Sequence, residues 1–162
     1  NNTGASSDGI QVTGTAGVII QNSASYANGR DGLRFVGANV GASSLVMNSA
    51  FVLNVGNGIG SDTTVYPAEA LRMDYNGFYG NGTPRANVSA GAHDVTATGD
   101  PFTSSTNFAL NASGLAELKA VGFPGSTAGN QLQFGGNGYV DIGPLQHQDS
   151  GGSSQTARPI LK

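Results

Sequence analysis

Along the chain, apolar and polar residues alternate in short bursts, each preceded by an acidic or amide residue and a glycine. "SDGIQV" at Asp8, "RDGLRF" at Asp31 and "GNGIGS" at Asn57 share this form, and "GNGTPR" at Asn81 repeats its opening, at spacings of 23, 26 and 24 residues. Asp or Asn before Gly suits a tight turn with φ > 0. The apolar residue that follows starts a strand whose side chains face alternate sides. A second column lies between these turns. "GVIIQNSASYANG", "SSLVMNSAFVLNVGNG" and "EALRMDYNGFYGNG" each pass from alternating apolar residues through Asn into another apolar group, so Asn22, Asn48 and Asn76 mark one recurring bend. Asn at a stacked bend holds its own turn and hydrogen-bonds to the next repeat, which predicts a ladder.

A repeat of this length with no 3.6-residue periodicity predicts a coil of three short strands. A propeller blade needs about 40 residues, and a leucine-rich repeat needs a recurring Leu framework. Stacked coils pair in parallel and pile residues such as Ile20, Val46 and Leu71 into an interior column that no single coil buries.

The pattern loosens after Asn81. "HDVTATGDPF" predicts a strand over Val95 to Thr98, then a turn at Asp100 and Pro101. In "SGLAELKAVGFPG", Leu115, Leu118 and Val121 predict one or two helical turns ended by Gly122 and Pro124, a short amphipathic cap over the open edges of the last coil. "GNGYVDIGPLQHQ" predicts a final strand through Tyr139, Val140, Ile142 and Leu145. The expected division is β-helix coils over 1–99, a closure over 100–148 and a Gly/Ser-rich tail over 149–162.

Composition narrows the function classes. The 162 residues include 26 Gly and only 10% charged residues, as a turn-rich β protein requires. With a net charge of −3 and seven scattered basic residues, the chain lacks the footprint of a nucleic-acid partner. Cys is absent, which removes thiolate chemistry and disulfides. No apolar run approaches the roughly 20 residues of a membrane helix. The opening "NNTGASSDG" carries no signal-peptide pattern.

With these residues in view, the chain resembles the right-handed parallel β-helix proteins of the pectate-lyase-like superfamily, found among bacterial surface proteins and phage tailspikes. The repeated "NG.DGL.F.G" with "NS.F..N" matches the coils. "GDPFTSSTNFALNASG" followed by "DIGPLQHQ" looks like their closure, through Asp100, Pro101, Phe102, Phe108, Leu110, Asp141, Ile142, Gly143 and Gln146. The resemblance implies an all-β, right-handed, single-stranded parallel β-helix of about four coils with a short helix and strand closure. It also implies the distal end of a longer helix, with upstream coils or a neighbouring subunit covering the first edge.

This fold hosts both enzymes and inert spikes, so function is read from sites. Positions at turns or strand flanks account for Asp8, Asp31 and Asp94, the closure for Asp100 and Asp141, and the tail for Asp149. Asp62, Glu69 and Asp74 remain, in a stretch about four residues longer than its first-repeat counterpart. Glu69 and Asp74 are weak catalytic candidates, since a glycoside hydrolase needs two carboxylates ~5–10 Å apart. His93 and His147 read as structural, and no cofactor or metal set is expected. The function expected is a structural and recognition module of an extracellular, cell-surface or virion β-helical spike, fibre or surface protein. It would contact a polysaccharide or cell-surface glycan through Tyr66, Arg72, Asp74, Tyr75 and Tyr79. The alternatives are a fragment of a polysaccharide lyase or glycoside hydrolase whose site lies upstream, and a purely architectural fibre-forming element.

Overall fold

The computed structural model describes residues 1–14, 17–37, 43–62, 70–119, 121–123 and 142–144. The chain first forms β1 (Ile10–Thr13), β2 (Ile19–Gln21) and β3 (Ala24–Tyr26), then β4 (Leu33–Val36), β5 (Ser44–Met47) and β6 (Ala50–Val52). β7 (Asn57–Ser61), β8 (Leu71–Asp74) and β9 (Gly77–Tyr79) follow, then β10 (Thr83–Ala86), β11 (Val95–Thr96) and the helix α1 (Ala112–Glu117). The strands form three parallel sheets, ordered β1-β4-β7-β10, β2-β5-β8 and β3-β6-β9-β11. Strands pair with the third one after them, except at the end, where β9 pairs with β11, the second after it; this is compatible with a β-helix or solenoid, and the fold is all-β and parallel, with very little helix.

A single backbone feature turns the chain from one sheet to the next. A left-handed residue stands directly after β1, β4 and β10 (Gly14, Gly37, Asn87), after β2, β5 and β8 (Asn22, Asn48, Tyr75), and after β3, β6 and β9 (Ala27, Leu53, Gly80). Gly and Asn accept this conformation readily, whereas Ala27, Leu53 and Tyr75 hold it against a steric cost of about 1–2 kcal/mol each.

Register corrects three of the expected alignments. Ile10, Leu33, Ile59 and Arg85 share one column, so Thr83 stands opposite Asn57 and Asn81 belongs elsewhere. Ile20 and Val46 stack on Met73, while Leu71 pairs with Ser44. Asn22 and Asn48 occupy one place with Tyr75, and Asn76 falls one residue later, against Ser49.

The amide ladder runs through Asn28, Asn54 and Asn81. Asn28 Nδ2 donates to Asn54 Oδ1 at 2.7 Å and Asn54 Nδ2 to Asn81 Oδ1 at 2.8 Å, while the backbone N–H of Asn2 reaches Asn28 Oδ1 at 2.8 Å. A second, mixed ladder passes from Ser23 through Ser49 and Asn76 to Asp94, each backbone N–H donating to the next side chain.

Inside, Leu33, Phe35, Val46, Phe51, Ile59 and Phe78 are almost wholly buried in one cluster, with Phe51 stacked on Phe78 at 5.7 Å. Arg85 occupies the last place of the aliphatic column. Its guanidinium lies 4.6 Å from the Phe78 ring centre and pairs with Asp94 at 3.1 Å.

The C-terminal segment lies differently from the expected cap. Ala50 and Val52 alternate with inward-facing Phe51, so they point outward; they are nevertheless fully buried, in a second cluster with Phe102, Leu110, Leu118 and Ile142. The segment therefore covers the outer face of the β3-β6-β9-β11 sheet. Gly77 makes room for it, since a Cβ there would stand 3.1 Å from Leu118 and 3.2 Å from Ile142. Asp100 fastens the segment, accepting from Phe102 N–H at 3.0 Å and from the Tyr26 hydroxyl at 2.7 Å. Asn111 caps α1 and ties Asp100 to Phe102 through their carbonyls, while its backbone N–H donates to Pro101 O at 2.9 Å. Gly143, at φ 123°, donates to Asn48 O at 3.0 Å. The expected helix thus begins and ends several residues earlier than the Leu115 to Gly122 pattern indicated, and the Val95–Thr98 strand is two residues long. Asp141, Gln146, the final strand over 139–145, apart from Ile142 to Pro144, and the 149–162 tail lie outside the described residues.

Candidate functional site

The sheet β2-β5-β8 has Val46 and Met73 facing inward, which leaves Ile19, Leu45 and Arg72 in one outward column and Gln21, Met47 and Asp74 in another. Ile19 is 72% exposed. A groove of about 410 Å³ runs over this face, lined by Leu45, Met47, Leu71, Arg72, Met73, Asp74, Ser89 and Ala90.

At one end of β8 the chain gathers three rings. Tyr75, held in the left-handed conformation, has the His93 imidazole stacked on it at 4.4 Å with the planes 10° apart, and Phe123 meets it edge-on at 5.5 Å. Asn48 joins them, accepting from Phe123 N–H at 2.6 Å; its own Nδ2 is buried and has no hydrogen-bond partner among the described residues.

Asp74 is fully engaged. Oδ1 accepts from Tyr75 N–H at 3.0 Å and from His93 N–H at 2.7 Å, and Oδ2 lies 2.8 Å from His93 Nδ1. Partial burial pushes its pKa up, but the His93 side chain and the two backbone donors outweigh that and hold the carboxyl below its ordinary range.

The structure thus brings Arg72, Asp74 and Tyr75 together and adds His93, Phe123, Leu45 and Met47, which sequence reasoning left out. The retrievable signal for His93 was the pair "HD": Asp94 continues the mixed ladder and so places the residue before it over Tyr75. Tyr79 belongs elsewhere, packed against the cluster under the C-terminal segment. Tyr66, Glu69 and His147 lie outside the described residues. Arg34 stands on another sheet, paired with Asp31 at 3.6 Å and with Asp62. Among the described residues no group of three or more His, Asp or Glu is placed to hold a metal, and no helix is long and apolar enough to cross a membrane. Compared with protein-family models, curated proteins and solved structures, the chain finds no significant match.

Proposed function

We propose that the chain is a structural and recognition module of a right-handed parallel β-helix of about four coils, similar to the pectate-lyase-like superfamily. Its setting would be an extracellular, cell-surface or virion spike, fibre or surface protein that contacts glycans. The observation that carries this reading is the groove on the outer face of β2-β5-β8: an apolar floor of Leu45 and Met47, one cation, and the lining residue Asp74, which holds His93 stacked on Tyr75. A few placed polar groups over apolar and aromatic surface suit a sugar. His93 covers one face of Tyr75, so the rings offered to a ligand are His93, 57% exposed, and Phe123, 39% exposed. A role without catalysis is favoured because Asp74 already accepts from three donors, which removes it from duty as a free acid or nucleophile.

The architectural reading draws on one feature of its own: among the described residues β1, β2 and β3 pair with a strand on one side only, and such edges are where a neighbouring subunit or further coils would add. Incubation with neutral and acidic polysaccharides, reading both retention and new reducing or unsaturated ends, tests the proposal. Retention without cleavage is expected. Cleavage that disappears in Asp74→Asn would replace recognition with catalysis.

A further inference from the structure

Among the described residues, charge is used up almost entirely within the protein itself. Arg30 grips Asp8 through Nε and Nη2, Arg34 holds Asp31 and Asp62, and Arg85 is paired with Asp94. Asp100 and Glu117 are likewise occupied, by Tyr26 and Phe102 and by Thr98. Arg72 differs: among the described residues it has no ion-pair partner, and it is exposed.

The reason lies in its neighbours. Across the sheet, Arg72 stands beside Leu45, and Leu45 beside Ile19, so its own column offers no carboxylate. Asp74, two residues on and facing the same way, is committed to His93 and to two backbone N–H groups. A guanidinium is therefore left unneutralised at the wall of an apolar-floored groove.

We propose that Arg72 is an anion-binding group and that the groove takes a sugar bearing a carboxylate or sulfate. This deepens the glycan reading and rests on it. The planar guanidinium presents paired N–H donors that match two oxygens of such a group, and these charge-assisted bonds are stronger than neutral ones. Leu45 and Met47 beneath would take the apolar face of the ring.

The test uses one polymer backbone in three charge states: plain dextran, carboxymethyl-dextran and dextran sulfate, immobilised, at low ionic strength and at about 0.15 M. The chain should be retained on a charged form and pass through plain dextran. Arg72→Gln should weaken retention about tenfold or more, and Arg72→Lys should fall between, with the thermal midpoint of both variants unchanged because the side chain is exposed. Stronger retention on the carboxymethyl or the sulfated polymer tells the two anions apart. If plain dextran is held as well as the charged forms and Arg72→Gln changes nothing, the anion site is overturned while glycan recognition survives. Retention on charged polymer that ignores Arg72→Gln also overturns it. Retention on none of the three, with none on the wider polysaccharide series, removes both readings.

Discussion

Asn54 shows how a side chain does two jobs in a stacked repeat. Its Oδ1 accepts from the backbone N–H and Nδ2 of Asn28, and its Nδ2 donates to Ser25 O and Asn81 Oδ1, all inside the molecule. Asn54→Ala leaves those buried donors of Asn28 without their acceptor, so a loss of about 2–4 kcal/mol is expected in chemical denaturation. An exposed Asn in the same fold, Asn87, should cost much less when changed to Gly, which accepts its positive φ. That a ladder of amides exists was legible in the Asn-rich bends, but its address was not. Asn22, Asn48 and Asn76 stood out by local spacing, whereas the ladder follows register, and loops of unequal length shift register by a residue or two. The left-handed corners were legible where Gly or Asn filled them and invisible at Ala27, Leu53 and Tyr75, whose identities carry no turn signal.

At the scale of elements, the strands were readable because each needs only one alternation and one turn. The C-terminal segment was not, since nothing in "DPF" or "LAEL" says which surface will receive it. Its position follows from small outward residues on β6 and β9, Ala50 and Gly77, which make the sheet face a seat for Leu118 and Ile142. Leu118→Ala should cost about 2–5 kcal/mol and open the segment after residue 100 to limited proteolysis before the strands unfold. The Tyr26–Asp100 bond gives the same seat a pH signature. Burial first, then the hydrogen bond and charge of Asp100, push the Tyr26 hydroxyl from its ordinary 10 up to about 12. Because the folded value is raised, the contribution is complete below pH 10 and disappears as pH rises from 10 to about 12. Stability of the protein minus that of Tyr26→Phe, measured from pH 9 upward, should fall over that window.

For the molecule as a whole, the order of residues along the stack matters as much as their pattern. The column Ile10, Leu33, Ile59 ends at Arg85, whose guanidinium covers Phe78 and meets Asp94, itself almost wholly buried. Pro84 beside it cannot donate a backbone hydrogen bond, which suits a strand that ends a sheet. The pair reads as a polar end to an apolar core. Arg85→Ala strands a buried carboxylate and should destabilise by about 3 kcal/mol or more, while Arg85→Leu combined with Asp94→Asn should recover much of that loss, measured by thermal or denaturant unfolding. One outer sheet face is covered by the chain's own C-terminal segment, and the β2-β5-β8 face carries the groove. The measurement that bears most directly on this division is amide chemical-shift mapping with a retained oligosaccharide. The account predicts perturbations confined to residues 45–47, 72–75, 89–93 and 121–123. Shifts gathered instead along β1, β4, β7 and β10, with the groove silent, would contradict it.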